Sequence, residues 1–572
     1  MLFKSQFKSV QIPDIDVPSY VLSNSSANDR NHDFAILDGS SPSNTHYSIS
    51  DIDSISKQLC IGLKTKLFLK NNEVLAIFLP NCAFYPIAIL ATLRAGAIVT
   101  PINPNYKPNE LAYQLSHTNA KVIITCSEYL HVAEAALNHN SSSPTSNSST
   151  PHSLPQKPLI YLIDSQISSP RHISNLLCSG KFTPYLINSK EKAESKVAFI
   201  CYSSGTTGLP KGVMLTHKNI ISSLSQNHQY AKQANWFSSK DITHRHLAVT
   251  PFYHIYGLTV VLLYGLSHGI GIVTLKRYAA DQFLSLIQKY KITFIHLAPP
   301  VLVSLNNSNI LNNYDISSLT QIMSSAAPLG AEFQSIISKK LDVPIVQGYG
   351  LTETSPTISL SNSGPNGHRT GSIGKLLSNI EMKIVDPDDE LNTADQHLLP
   401  AGQKGELCFR GPNVMLGYYK NKAATNSTID NQGFIHSGDI GYIDTDGFIF
   451  ISDRKKELIK YNGYQVAPAE LEALLITHDY VKDCAVIGTY SPALQTELPK
   501  AYIVLSDSAL ANSSSNSQAN TLASIETWFD SNVAHYKKLR GGIEIIAEIP
   551  KSASGKILRK DLAKLNTSRS KL

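Results

Sequence analysis

Short apolar runs alternate with helical periods along most of the chain. Val74-Leu75-Ala76-Ile77-Phe78-Leu79, Val122-Ile123-Ile124-Thr125 and Val197-Ala198-Phe199-Ile200-Cys201 read as buried strands. Phe84 to Ala95, between the first two, reads as an apolar helix. Phe294-Ile295, Ile345-Val346 and Glu406-Leu407-Cys408-Phe409-Arg410 add further strands. The runs are continuous rather than alternating, which implies sheets covered on both faces and an α/β chain. Tyr256 to Leu275 carries no Lys, Arg, Asp or Glu and is long enough to cross a bilayer. Its four Gly and the polar Ser267-His268 pair favour a buried helix followed by a buried strand.

The pattern breaks in three places. Asn138 to Pro158 is rich in Ser, Asn, Thr and Pro without an apolar period, as in a disordered surface insertion. Ala511 to Ser517 reads as a second polar loop. Asp453-Arg454-Lys455-Lys456-Glu457 follows a Gly-rich stretch, and Pro468-Ala469-Glu470-Leu471-Glu472-Ala473-Leu474-Leu475 then opens an amphipathic helix with Pro in its first turn. That places a domain boundary near 455 and leaves one small domain's length beyond it.

At 572 residues the chain exceeds one core, so two or more domains are expected. The net charge of +6 is the small difference between 50 basic and 44 acidic residues and gives no case for nucleic acid. Seven Cys without a C-x-x-C pair fit a reducing compartment. The first residues lack the apolar core of a secretory signal. Ser570-Lys571-Leu572 reads as a receptor-read peroxisomal address after a polar tail, 566–572.

The segment after the strand Val197–Cys201 carries the chemistry. Between Ser203 and Gly212 lie two Ser, two Thr, three Gly and one Lys. Glycines let backbone N–H groups approach an anion, hydroxyls add donors, and Lys211 adds a point charge. The unit suits phosphate but lacks the G-x-x-x-x-G-K-[ST] spacing of the P-loop. Read blandly it is a Ser/Gly turn. Gln347-Gly348-Tyr349-Gly350-Leu351-Thr352-Glu353-Thr354 is a second block: Tyr349 offers a stacking face, Thr352 a donor, and Glu353 a hard oxygen ligand for Mg²⁺. In Ser437-Gly438-Asp439 and Asp453-Arg454, a structural salt bridge is the default reading of each charge. In Pro251-Phe252-Tyr253-His254-Ile255-Tyr256-Gly257, a lone His is more often a core residue than a catalyst. Glu457 to Val466 reads as a charged surface loop, and Lys556 in Ser552-Ala553-Ser554-Gly555-Lys556 as a solvated lysine on a tight turn.

Together these blocks resemble the adenylate-forming (AMP-binding) superfamily, which holds acyl-CoA synthetases, firefly luciferases and non-ribosomal peptide adenylation domains. The likeness runs from Phe3 to Ala563 and is strongest to 4-coumarate–CoA ligase-like proteins. It implies a large N-terminal domain, 1–455, of αβ subdomains with a small β-barrel, and a mobile α+β lid, 456–565. It implies an ATP-dependent acid–thiol ligase that makes an acyl-AMP and transfers the acyl group to coenzyme A. A carrier-loading adenylation enzyme, a luciferase-like oxygenase and a catalytically silent binding protein are the alternatives.

By this resemblance Ser203, Ser204, Gly205, Thr206, Thr207, Gly208 and Lys211 hold phosphate, Tyr349 and Gly350 hold adenine, Thr352 meets the α-phosphate, and Glu353 binds magnesium. Asp439 and Arg454 hold the ribose, and Lys556 is the adenylation lysine. Lys456 is the hinge, with Lys460, Gly463 and Gln465 serving the second half-reaction and His254 positioning or gating the acyl site. Ser324 to Gly330 is a strand edge lining the nucleotide and acyl pockets, with Ala326 at the cofactor. Ser325 stands where many relatives carry Gly, which narrows that pocket, and Asn462 stands where they often carry Lys. The implied partners are a small carboxylic acid, ATP, CoA and the peroxisomal import receptor.

Overall fold

A computed structural model of the chain describes residues 1–27, 33–41, 44–138, 157–203, 210–236, 242–306, 310–364, 367–461, 464–552 and 555–569, less 165, 167, 388, 390–396, 492, 493, 495, 508 and 510–514. Ser204 to Gly208, Gly463, most of the 138–158 insertion and Ser570-Lys571-Leu572 lie outside these residues.

The expected apolar runs fall in three sheets. The first has seven strands, with β1 (Val74–Phe78) and its neighbours Ile98–Pro101 and Ala120–Thr125 in parallel. Every residue of β1 is buried, as its unbroken apolar run requires, and the all-buried helix α1 (Tyr85–Arg94) comes next. Towards one edge, β2 (Val197–Ser203) turns back into antiparallel β3 (Lys211–Thr216), with Ser203 opposite Lys211. The phosphate motif therefore spans a β-hairpin. Thr216 and Asn219 then exchange bonds in a capping box that starts α2 (His217–Gln233).

The second sheet has nine strands. At its centre β4 (Phe294–Leu297), β5 (Gln321–Ser324) and β6 (Ile345–Gly350) run parallel, so their C-terminal ends share one rim. The span expected as a buried helix and strand is a π-helix, Tyr256–Leu263, then a short α-turn and the strand Gly271–Thr274. Gly257 is required there: a Cβ would lie 2.2 Å from the Pro251 carbonyl oxygen. No helix among the described residues is long and apolar enough to cross a membrane.

Where the resemblance implied a small barrel, the structure has a five-stranded antiparallel sheet. It contains Leu2–Lys4, Glu381–Val385, Gly405–Arg410, β7 (Ile435–Ile443) and β8 (Ile449–Arg454). Its outer strands, Leu2–Lys4 and β8, do not pair with each other among the described residues. β8 ends at the expected boundary. Beyond it lie a hairpin (Ile459–Tyr461 with Tyr464–Val466), α3 (Pro468–Leu475) and a three-stranded sheet with its own apolar core. Two expectations do not hold. Ser515 to Ser517 open the helix Ser515–Asn532 instead of closing a loop. The last helix, α4 (Arg559–Arg569), runs through Asn566 to Arg569, where a polar tail was expected. All seven cysteines are free, and all but Cys178 are buried.

Candidate active site

The rims of both sheets, the end of β8 and the lid enclose a cavity of about 1080 Å³. Its walls include Ser203, Lys211, His254, Ala326, Tyr349, Gly350, Thr352, Glu353, Arg454 and Lys556. Residues more than 350 positions apart in sequence thus face one space, and each reaches it from the end of a strand or a tight turn.

At the end of β6 the chain bends sharply through the turn Thr352–Thr354. Only glycine fits at 350, because a Cβ would stand 1.8 Å from the Pro356 carbonyl oxygen. The bend aims Glu353 at the hairpin: its Oε1 accepts from Ser203 Oγ at 3.1 Å and from the Tyr418 hydroxyl at 2.8 Å. Lys211 Nζ lies 4.8 Å from the centre of the Tyr418 ring. A carboxylate and a lysine therefore flank one tyrosine at the open end of the phosphate hairpin.

The strand pair β7–β8 sets Asp439 directly opposite Arg454. Arg454 Nε is 3.3 Å from Asp439 Oδ1, and the Tyr349 hydroxyl donates to Asp439 Oδ2 at 2.5 Å. Burial pushes the Asp439 carboxyl up, while Arg454, Tyr349 and Lys556 pull it back towards the charged form.

Lys556 enters from the lid on a turn closed by Ser552 N–H to the Lys556 carbonyl oxygen at 2.7 Å and Lys556 N–H to Ser552 Oγ at 3.1 Å. Gly555 has φ of +81° and lies against Pro300, which a Cβ would meet at 2.8 Å. Burial lowers the Lys556 ammonium to about 8, helped by Arg454 and opposed by Glu457 and Asp439.

Part of the cavity wall is apolar or aromatic. Trp236, Tyr253, Tyr256, Val260, Met323 and Leu360 line it. Tyr256 Oη and His296 Nδ1 are 3.0 Å apart. Burial pushes His254 down to about 4 and His296 to about 3, so both rings are neutral near pH 7. Ser325 lines the cavity as expected, and Ala326 beside it holds φ of +74°, a strained value for a residue with a Cβ.

One expected residue lies elsewhere. Lys460 is exposed on the lid hairpin, paired in register with Gln465, and its N–H donates to Glu497 Oε2 at 2.8 Å. Lys460 does not line the cavity. Conversely, Tyr418, Trp236 and His296 belong to the walls and carry no motif of their own. The Leu416-Gly417-Tyr418-Tyr419 turn is the one local signal for the first of them.

Comparison with known proteins fits this geometry. The family model described as AMP-binding enzyme matches residues 24–419, and that of its C-terminal domain matches 470–556. The chain belongs to the AMP-binding enzyme family. It is 36% identical over 572 residues to 4-coumarate:CoA ligase 1 of Petunia hybrida, covering 98% of this chain and 96% of the relative. It is 35% identical over 582 residues to the probable 4-coumarate–CoA ligase 1 of Dictyostelium discoideum, covering 99% and 98%. An anthranilate CoA ligase in complex with anthranoyl-AMP superposes with a TM-score of 0.80 at 24% identity, covering 98% of this chain and 99% of that one. A benzoate CoA ligase from Burkholderia xenovorans LB400 gives 0.76 at 21%, covering 96% and 99%. As a member of this family the chain is an AMP-forming, ATP-dependent acid–thiol ligase.

Proposed function

We propose that the enzyme activates an aromatic or fatty acid and passes its acyl group to coenzyme A. The reading rests on one observation: the hydroxyl, cationic and carboxylate side chains of Ser203, Lys211, Glu353, Arg454 and Lys556 line the same cavity as the apolar side chains of Trp236, Val260, Met323 and Leu360. A carboxylate is a poor electrophile because its leaving group would be oxide. Attack of a carboxylate oxygen on the α-phosphorus of ATP releases pyrophosphate and leaves the acyl carbon attached to AMP. Catalysis here is positioning and charge neutralisation. In this reading the hairpin from Ser203 to Lys211 holds the phosphates, Tyr349 and Gly350 the adenine, Thr352 the α-phosphate, and Asp439 and Arg454 the ribose. Lys556 bridges the carboxylate and the α-phosphate as charge shifts between them.

No group of three or more metal-binding side chains occurs among the described residues. A lone Glu353 suits Mg²⁺, which takes its remaining ligands from water and phosphate. When bound there, Mg²⁺ supplies positive charge to the triphosphate. In the second half-reaction the CoA thiol attacks the acyl carbonyl and AMP leaves. Lys460, Gly463 and Gln465 serve that step after the lid turns about Lys456, with neutral His254 beside the acyl carbon. The apolar walls favour acids with an uncharged tail, and the Ser570-Lys571-Leu572 motif favours a peroxisomal destination through the import receptor.

The test is a screen of 4-coumarate, benzoate, octanoate and palmitate with ATP, each with and without CoA. It monitors pyrophosphate release and thioester formation. Acyl-adenylate from any of these acids with no acyl-CoA would sink the CoA-ligase reading.

A further inference from the structure

Helix α3 opens the lid and lacks a cap of its own. Its N-cap is Ala467, whose side chain accepts nothing, and Pro468 comes next. A helix begun this way needs an outside acceptor for its first free N–H groups. The acceptor is Asp453, which lies across the boundary on β8. Its Oδ2 takes the Ala469 N–H at 3.0 Å, and its Oδ1 takes the Arg454 N–H at 2.6 Å. Asp453 is 4% exposed.

Successive residues of a strand face opposite ways. Arg454 faces the cavity and pairs with Asp439, while Asp453 faces the lid. Two further contacts fix the same seat. Gly330, at the start of the helix Ala331–Leu341, sits so close to α3 that a Cβ would be 2.9 Å from Ala473 Cβ. Within the lid, Arg559 Nη2 donates to Glu472 Oε2 at 3.0 Å, and its Nε lies 3.2 Å from Glu457. That ties the Lys556 turn to α3, so seating α3 seats Lys556. The charged groups around Asp453 are Arg559 and Glu457, with Glu472 close enough to feel it.

We propose that Asp453 is the positioning residue of the lid: by capping α3 from the large domain, it stabilises the orientation in which Lys556 enters the cavity. This rests on the two-step ligase reading. Rotation of the lid for thioester formation removes the cap, so Asp453 favours the first half-reaction and is dispensable in the second.

The full chain is assayed as Asp453→Ala and Asp453→Asn in two half-reactions. One is acid-dependent ATP–pyrophosphate exchange with 4-coumarate or octanoate. The other is thioester formation from the matching synthetic acyl-AMP and CoA. Losing a helix cap is worth about tenfold, so Asp453→Ala cuts exchange by about that factor and leaves thioester formation within about twofold. Asp453→Asn keeps an accepting oxygen and stays within about threefold in both. Gly330→Ala, which crowds the seat without touching Asp453, shows the same split, and adding Ala473→Gly reverses it. Equal losses in both half-reactions, or no loss in either, overturn the proposal. If the wild-type enzyme turns over none of the acids, the ligase reading is what fails. Hydrogen exchange of residues 468–475 then decides the cap: faster in Asp453→Ala but not in Asp453→Asn supports it, and no change overturns it.

Discussion

The Lys556 ammonium sits at about 8 instead of the ordinary 10.5 because burial takes it out of water. Its charge, which the proposed first half-reaction uses, is therefore lost within reach of assay buffers. With that value, about nine in ten molecules carry the charge at pH 7 and about one in ten at pH 9. Acid-dependent pyrophosphate exchange should fall about tenfold between these pH values, with kcat/KM for ATP reporting the free enzyme. Thioester formation from supplied acyl-AMP should lack this limb. Stability moves the opposite way. A lysine whose folded value is depressed penalises the folded state while charged, and the penalty fades as pH rises from about 8 towards 10.5. The penalty is at most about 3 kcal/mol at 1.36 kcal/mol per pH unit. Lys556→Met should thus abolish exchange and raise the thermal midpoint at pH 7. An exchange limb centred near 10, or the same limb surviving in the residual activity of Lys556→Ala, would refute the argument.

Other perturbations probe separate parts of the molecule. Glu353→Gln keeps an acceptor for Ser203 and Tyr418 but removes the charge, so the magnesium needed for half-maximal exchange should rise about tenfold with the fold intact by circular dichroism. Gly257→Ala forces a Cβ onto the Pro251 carbonyl and should cost about 1–3 kcal/mol. It should also raise KM for the acid, since Tyr256 and Val260 lie on that segment, and an unchanged melting curve would count against this packing argument. Lys383 and Asp430 form an ion pair at 2.7 Å with side chains 5% and 2% exposed. Lys383→Ala strands a buried carboxylate and should cost about 3–5 kcal/mol in urea unfolding while exchange by the folded fraction is unchanged.

The sheets were readable in the chain because their strands are continuous apolar runs bounded by Gly, Pro and polar residues. Ser203 and Glu353 stood out because their residue types suit phosphate and Mg²⁺, whereas Asp439 and Lys556 stood out only through the family resemblance; Ser203, Glu353 and Lys556 line one cavity. Other features were not legible. The hairpin form of the phosphate motif depends on Ser203 pairing with Lys211, a register that the residues between them do not encode. Trp236 and His296 enter the walls through the packing of distant elements, with nothing local to mark them, and Tyr418 has only its short Gly-Tyr-Tyr run. Ser515 to Ser517 look like loop residues by propensity, yet the helix they open is held by Ile525 and Phe529 buried in the lid core. Asp453 stands next to Arg454 in sequence without a role of its own there; strand alternation turns it to the opposite side, towards α3.

The π-helix at Tyr256–Leu263 has a consequence for how this enzyme could change its diet. A π segment is wound more loosely than an α-helix and accommodates surplus residues in the same length. Removing one residue there would let the backbone tighten to α geometry with the segments before and after it left in nearly the same relative orientation. Tyr256 and the apolar anchor at Tyr264–Ser267 could keep their places, while the residues between them, Val260 on the cavity wall among them, take new facings. A single codon deletion could thus re-deal one wall of the pocket in one evolutionary step, with the phosphate hairpin, Asp439 and Lys556 left where they are.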